Sequence, residues 1–147
     1  MMVGGRESIY RLEPLKMHVD SRGYLVPIRE IIEQDEIGNI YITAAFKGAV
    51  KAWHYHNKQV DRLVCVKGRA LVGLAFDSGE QVILEKVVLD EMIPQMLIIP
   101  KKVYHGYMSL TKEAVLLNIT DRLYDPEDEH RLSWDAFGAD FWQLDKG

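Results

Sequence analysis

"GAVKAWHYHNKQVDRLVCVKG", residues 48–68, combines a predicted β-strand with polar side chains that suit a binding site. Side chains alternate between the two faces of a strand, so His54 and His56 are predicted to point to one side and the aromatic residues next to them to the other. Two imidazoles with a nearby carboxylate, here Asp61, form a recurring ligand set for transition metals. The stretch therefore predicts a strand whose inward face carries a site.

Short segments rich in β-branched and aromatic residues recur along the chain, separated by turn signals. Closely spaced short strands are typical of a sandwich or barrel. Only residues 28–36 and 126–142 have a pattern compatible with helix, each short or peripheral. We expect one all-β domain over residues 1–147. The predicted strands are YLVPI (24–28), IYITAAF (40–46), RLVCV (62–66), ALVGLAF (70–76), QVILEKVVL (81–89), MLIIP (96–100), HGYMSL (105–110) and AVLLNIT (114–120).

Charge and composition favour a small-molecule ligand. The net charge is -4, and the 147 residues contain no run of Lys or Arg, which argues against a nucleic-acid or anionic-membrane partner. No segment resembles a signal peptide or a membrane span. The single cysteine, Cys65, lies in an apolar run and is expected to pack as a small hydrophobe, which fits a cytoplasmic protein. The acidic PEDEH, residues 126–130, is expected to be a solvated turn without a function.

The segment VKGRALVGLAF, residues 66–76, is apolar on both faces of its predicted strand. Such a strand is covered on both sides, by the core on one and by a subunit neighbour on the other. We therefore expect a homodimer, although a central strand buried within one chain has the same pattern.

Two histidines and an acid between flanking glycines give residues 48–68 a resemblance to the first motif of the cupins, and PKKVYH, residues 100–105, resembles the second. The resemblance implies a double-stranded β-helix, or jelly roll, with its site in the barrel mouth. The chain has Asp61 where cupins usually have Glu, and Lys102 where they usually have Gly. A cupin site would hold a divalent metal such as Zn, Fe, Ni or Mn on His54, His56, Asp61 and His105.

Four segments resemble, in order, the signatures of the dTDP-4-dehydrorhamnose 3,5-epimerase family. That family is a branch of the cupins that has no metal and acts on nucleotide-linked keto sugars. The resemblance implies an isomerase of dTDP-rhamnose and polysaccharide biosynthesis that requires no cofactor. The segments are HVDSRGYL (18–25), GAVKAWHY (48–55), LIIPKKVYHGY (97–107) and YDPEDEHRLSWD (124–135).

Epimerisation beside a ketone needs a base, a cation that stabilises the enolate, and an acid on the opposite face of the sugar. By position in the family's motifs, His54 matches the base, and Arg22 and Lys51 match cations that hold the nucleotide diphosphate. Tyr107 and Tyr124 are candidates for the acid because each offers a phenol. The further predicted substrate contacts are Arg62, Tyr107 and Asn118.

The sequence departs from the family at catalytic positions. Asp61 stands where the family has its enolate-stabilising Lys, and Asn118 stands where it has its acid Tyr. Regular alternation turns the neighbouring cation, Arg62, away from the site. The Asp that orients the family's base comes from a C-terminal stretch with no match here. Because His56 and Asp61 belong to the possible metal set, a metal ion could replace the lost cation as Lewis acid.

Three functions stay open from the sequence. The first is an enzyme that epimerises or isomerises a nucleotide-linked 4-keto-6-deoxyhexose by His54-mediated proton abstraction, and this includes the related 3,4-ketoisomerase reaction. The second is a metal-dependent cupin enzyme that acts on a small polar substrate. The third is a non-catalytic nucleotide-sugar binding protein.

Overall fold

The computed structural model describes residues 2–3, 6–7, 9–33 and 36–146, the first two pairs by their backbone alone. Each of the eight predicted strands overlaps an observed one, although residues 26–28 of the first lie outside the observed strand, and the strand of the opening stretch is also present. The strands are β1 (Met2–Val3), β2 (Arg6–Glu7), β3 (Arg11–Pro14), β4 (His18–Asp20), β5 (Gly23–Leu25), β6 (Asn39–Phe46), β7 (Val50–Tyr55), β8 (Asp61–Lys67), β9 (Arg69–Asp77), β10 (Val82–Asp90), β11 (Gln95–Ile99), β12 (Tyr104–Ser109), β13 (Glu113–Thr120) and β14 (His130–Arg131).

The two segments with a possible helical pattern contain only short 3₁₀ turns among the described residues, and Gln34 and Asp35 of the first segment lie outside that part of the chain. Across the ranges that the structure describes, no helix has the length and apolar character needed to span a membrane. The turns are Arg29–Ile31, Pro126–Asp128 and Ala139–Trp142.

Two antiparallel five-stranded sheets form the body of the fold. The first sheet has the order β10-β9-β12-β7-β14, and the second has the order β3-β11-β8-β13-β6. The main core lies between them, because residues such as Val72 and Leu74 of the first sheet pack with Leu97 and Leu116 of the second. This arrangement confirms the predicted all-β jelly roll.

The C-terminal segment covers the outer face of the first sheet. Trp53 is fully buried there with Phe141 and Trp142, against Leu71 of β9. A Cβ atom on Gly73 would lie 2.6 to 2.9 Å from the three aromatic rings, so only glycine lets them approach β9 this closely. The same chain therefore covers both faces of β9, and the inference of a subunit neighbour from that strand was wrong.

Two turns with left-handed backbone bring the polar residues of the two cupin-like motifs together. Gly68 ends the first motif with φ 76°, and a Cβ there would lie 2.2 Å from the Glu113 carbonyl oxygen. Lys102 has φ 64° at the position where cupins usually have glycine. Its backbone N–H donates to the carbonyl oxygen of His56 at 2.7 Å. This bond fixes the second motif against the end of β7.

Candidate active site

His54 lies in the middle of one wall of a cavity between the two sheets. Its Cα partners across the neighbouring strands are His105 of β12 and Arg131 of β14. The cavity has a volume of about 480 Å³, and its lining includes both His54 and His56. This lining confirms the prediction that the two histidines share a face. Trp53, which precedes His54 on β7, is buried on the other face of the sheet.

Side chains from three parts of the chain line this cavity. The first sheet supplies one wall, the second sheet supplies the facing wall, and the segment after β13 closes one side. The lining includes Lys51, His54, His105, Tyr107 and Arg131 from the first sheet, Asn39, Tyr41, Thr43, Leu63 and Asn118 from the second, and Tyr124 and Glu129 from the segment between β13 and β14.

Glu129 is the charged partner of His54. The Nδ1 atom of His54 lies 3.4 Å from Oε1 of Glu129, and that oxygen also accepts a hydrogen bond from Nη2 of Arg131 at 2.7 Å. Burial alone would raise the pKa of Glu129, but hydrogen bonds from Arg131 and Tyr124 hold this pKa below its usual value. The carboxylate is therefore ionised at neutral pH and directs the Nδ1–H of His54 toward itself.

The imidazole of His54 is neutral at physiological pH. Burial lowers the pKa of His54, the neighbouring His105 and Arg131 lower it further, and Glu129 opposes them only in part. With Nδ1 directed at Glu129, Nε2 carries the free electron pair. A neutral imidazole with a fixed tautomer in a cavity has the properties of a general base.

Three further polar groups converge at one end of the cavity. Oδ2 of Asp61 lies 3.7 Å from Nε2 of His56 and 3.6 Å from Nε2 of His105. These three atoms lie within 4.8 Å of one another, and Asp61 is almost fully buried. His54 is not part of this group in the described part of the chain. The structure thus brings together three of the four predicted metal ligands.

Other partners hold each member of this group in place. Nδ1–H of His56 donates to the Asp128 carbonyl at 2.8 Å, and Nδ1–H of His105 donates to the Val103 carbonyl at 3.2 Å. Both Nε2 atoms are therefore directed at Asp61. Oδ1 of Asp61 accepts hydrogen bonds from the side-chain amides of Gln59 at 3.0 Å and Asn118 at 2.9 Å. This outer set of bonds is the kind that orients metal ligands.

A second hydrogen-bonded chain joins the two walls near Lys51. Nζ of Lys51 donates to Oγ1 of Thr43 at 2.9 Å and to the carbonyl oxygen of Ala44 at 3.1 Å. The hydroxyl of Tyr107 lies 2.7 Å from the same Thr43 oxygen. Burial raises the pKa of Tyr107. Lys51 and Tyr107 thus place a positive charge and a phenol in the cavity, and their contacts with a substrate stay predictions.

Asn118 lines the cavity but uses both amide hydrogens within the protein. Its Nδ2 donates to the hydroxyl oxygen of Tyr41 at 2.6 Å and to Oδ1 of Asp61 at 2.9 Å. Burial and the charge of Asp61 raise the pKa of Tyr41 to about 12, although the bond from Asn118 lowers it in part. Asn118 therefore positions Tyr41 and Asp61 in this structure, a role different from the predicted sugar contact.

Two predicted substrate-binding cations lie away from the cavity of the single chain. The guanidinium of Arg62 is buried on the other side of the second sheet, where it pairs with Glu36 at 2.9 Å. Regular strand alternation explains this position, so the assignment of Arg62 to substrate binding was wrong. Arg22 lies in the β4–β5 hairpin, 87% exposed, and pairs with Asp20. One chain alone does not bring Arg22 to His54.

The acidic turn at 126–130 was expected to be solvated, and for Asp128 this expectation was wrong. Asp128 is buried, and its carboxylate accepts hydrogen bonds from the backbone N–H groups of Asn57 and Lys58. Glu129 reaches into the cavity. Neither residue was identified from the sequence. The feature that could have indicated them as site residues is their position after the predicted last strand of the barrel. Tyr41 and Arg131 were also missed, the first because it lies within an apolar strand.

A comparison with protein-family models matches residues 9–143 to the family described as dTDP-4-dehydrorhamnose 3,5-epimerase. The chain belongs to this family. It is therefore an enzyme of the sugar epimerase and isomerase class, as predicted.

Two curated relatives match most of the chain. The chain is 36% identical over 131 residues to the probable low-salt glycan biosynthesis epimerase Agl13 of Haloferax volcanii, covering 82% of this chain and 84% of the relative. It is 32% identical over 136 residues to the spore coat polysaccharide biosynthesis protein SpsL of Bacillus subtilis, covering 85% and 88%.

Solved structures share the fold. A dTDP sugar isomerase from Desulfovibrio desulfuricans has a TM-score of 0.78 at 24% identity, covering 86% of this chain and 85% of that one. The sugar 3,4-ketoisomerase QdtA from Thermoanaerobacterium thermosaccharolyticum, in complex with TDP, has a TM-score of 0.74 at 24% identity, covering 84% and 88%. At this level of identity the likeness extends to the fold alone.

Proposed function

We propose that the protein epimerises a 4-keto-6-deoxyhexose carried on a nucleotide, with His54 as the base that removes a proton beside the ketone. The observation that carries this proposal is the pairing of a neutral His54 with an ionised Glu129 inside a cavity of about 480 Å³. The family description supports the sugar class, and the names of the two curated relatives refer to glycan and polysaccharide biosynthesis.

Glu129 takes the orienting role that the sequence left unfilled. A carboxylate on Nδ1 fixes the tautomer of an imidazole and stabilises the imidazolium that forms when Nε2 accepts a proton. The bond from Arg131 to the same carboxylate keeps it ionised. His54 and Glu129 thus form a base and its positioning residue from two distant parts of the chain.

Lys51 is a cation that this cavity offers to an anionic part of the substrate. Two of its three ammonium hydrogens have partners on β6. Within the described ranges the third has no partner, so it can bind an oxygen of the nucleotide diphosphate or of the developing enolate. Tyr107, 5.8 Å from the Lys51 ammonium by its ring centre, supplies an aromatic surface beside it. We propose both residues as substrate contacts, and Tyr124 as a contact at the rim.

The test is incubation with dTDP-4-keto-6-deoxyglucose in D₂O, followed by proton NMR of the sugar. Epimerisation replaces a ring proton beside the ketone by deuterium and inverts that carbon. Migration of the ketone to C3 would assign the 3,4-ketoisomerase reaction instead. Binding without exchange of any ring proton would contradict the catalytic proposal and favour the binding protein. A glucose-1-phosphate control without a ketone should show no exchange.

A metal-dependent reaction is the second candidate, and the convergence of Asp61, His56 and His105 favours it. A carboxylate and two imidazoles, each with its remaining polar atom held by another group, suit Zn, Fe, Ni or Mn. A bound ion would supply Lewis-acid stabilisation of the enolate oxygen. Proton transfer alone needs no cofactor, so the metal is not required by the first proposal.

Metal content separates the two candidates. Protein purified without an affinity tag or chelator should contain about one transition metal per chain if this group is a metal site. His56→Ala should lose the metal, whereas His130→Ala, which changes an exposed histidine, should keep it. Metal-free wild type with full activity would contradict the metal-dependent proposal.

We also propose a homodimer, now on the basis of β6. This strand is the edge of the second sheet, and its outward side chains Ile40, Ile42 and Phe46 are 56%, 69% and 68% exposed. An unpaired apolar edge strand favours association with a second copy. Sedimentation should give the mass of a dimer for the wild type and of a monomer for Ile42→Lys. A monomeric wild type would contradict the proposal.

The cytoplasm remains the predicted compartment.

A further inference from the structure

Inversion of a carbon needs a proton donor on the face of the sugar opposite to the base. His54 lies on β7 of the first sheet. A sugar ring held between the two sheets exposes one face to the first sheet and the other to the second. The acid that completes the reaction should therefore come from the second sheet.

Tyr41 is a phenol of the second sheet that lines the cavity. On β6, Asn39, Tyr41 and Thr43 face inward, while Ile40 and Ile42 face outward. Tyr41 pairs across the strands with Asn118 of β13. The phenol thus stands on the wall that faces His54.

The hydrogen bonds of Tyr41 leave its proton available. Its oxygen accepts a short bond of 2.6 Å from Nδ2 of Asn118. Among the residues that the structure describes, none accepts the hydroxyl hydrogen of Tyr41. The proton can therefore be directed at a substrate in the cavity, and the Asn118 amide remains to stabilise the phenolate after the proton has left.

The other two phenols of the cavity are less suited to this role. Tyr107 lies on β12, in the same sheet as His54, and its hydroxyl is bonded to Thr43 at 2.7 Å. Tyr124 is 63% exposed, and its hydroxyl bonds to the Glu129 carboxylate. A phenol on the same side of the sugar as His54 would return the proton to the face from which it was removed, and would therefore restore the original configuration.

We infer that Tyr41 is the general acid of this enzyme, positioned by Asn118. This inference rests on the proposed function. Nε2 of His54 takes the proton from the carbon beside the ketone, and the electron pair of that C–H bond forms the enolate. The enolate carbon then takes the hydroxyl proton of Tyr41, which forms a new C–H bond on the opposite face and leaves a phenolate. Solvent removes the proton from His54 and returns one to Tyr41, so no other reactant is needed.

The raised pKa of Tyr41 agrees with this role. Burial and the charge of Asp61 keep the phenol protonated across the physiological range. Asn118 bonds to both Tyr41 and Asp61, so one amide fixes the phenol and the carboxylate relative to each other.

The experiment compares exchange with inversion in Tyr41→Phe, using dTDP-4-keto-6-deoxyglucose in D₂O. General acids contribute about 10²- to 10⁴-fold to rate, so inversion should fall at least about a hundredfold. Exchange of the ring proton by His54 should persist, with retention of configuration. The matched control is Tyr104→Phe, because Tyr104 packs on Tyr55 with ring centres 4.5 Å apart, outside the cavity. It should exchange and invert as the wild type does.

If Tyr41→Phe inverts the sugar at a rate within threefold of the wild type, the role of Tyr41 is overturned. The role is also overturned if Tyr107→Phe or Tyr124→Phe loses inversion while Tyr41→Phe keeps it. If Tyr41→Phe loses both exchange and inversion, a difluorotyrosine at position 41 decides. The more acidic phenol should move the alkaline limb of the inversion rate to lower pH, and an unchanged limb would overturn the assignment. A wild type that neither exchanges nor inverts overturns the proposed function itself.

Discussion

Replacing Glu129 by Gln tests whether a carboxylate positions the base. The change keeps the shape of the side chain and removes the charge that lies 3.4 Å from Nδ1 of His54. At an effective dielectric constant of about 20, an imidazolium and a carboxylate at this separation attract by about 5 kcal/mol. Arg131, which bonds to the same oxygen at 2.7 Å, offsets much of that attraction.

We therefore expect Glu129→Gln to lose about 1.4 to 2.7 kcal/mol of transition-state stabilisation, a ten- to hundredfold fall in kcat/KM. The pKa of His54 is already lowered by burial, and Glu129 is a group that raises it. Loss of the carboxylate should lower the pKa of His54 further and move the acid limb of the pH–rate profile to lower pH.

The assay is the rate of epimerisation of dTDP-4-keto-6-deoxyglucose from pH 5 to 9. Glu127→Gln is the matched control, because Glu127 belongs to the same acidic turn but is exposed and lies outside the cavity. The reasoning is refuted if Glu129→Gln keeps kcat/KM within threefold of the wild type with an unmoved acid limb. An equal loss in Glu127→Gln would also refute it.

Three further predictions concern the fold. Gly73→Ala places a Cβ within 2.6 to 2.9 Å of the rings of Phe141, Trp142 and Trp53, and should lower the free energy of unfolding by about 1 to 3 kcal/mol; an unchanged urea midpoint would contradict this packing. Lys102→Gly removes a non-glycine residue from φ 64° and should raise the free energy of unfolding by about 0.5 to 1 kcal/mol, whereas a loss of stability would show that the lysine side chain has a packing role. Burial raises the pKa of the Cys65 thiol to about 11, so at pH 8 the native protein should react with a thiol reagent far more slowly than the protein in urea; equal rates would contradict its burial.

The sequence was sufficient to predict nine of the strands and the shared face of His54 and His56, because both depend on the period-two alternation of neighbouring residues. Alternation also indicated that Arg62 faces away from the site, and its pairing with Glu36 bears this out. These three predictions, which rest on strand alternation, were thus confirmed.

Contacts between distant parts of the chain were not predictable in the same way. Glu129 meets His54 because β14 pairs with β7 at the edge of the first sheet, and no local pattern specifies that pairing. The apolar outer face of β9 indicated a covering partner but could not distinguish a second subunit from Phe141 and Trp142 of the same chain.

The central claim is that His54 is the base, and deuterium exchange in His54→Asn tests it most directly. Asparagine keeps a polar side chain of similar reach but cannot accept the proton. In D₂O with dTDP-4-keto-6-deoxyglucose, we predict loss of the ring proton beside the ketone with wild-type protein and none with His54→Asn, while both proteins bind dTDP with similar affinity. Exchange by His54→Asn at the wild-type rate would contradict the account.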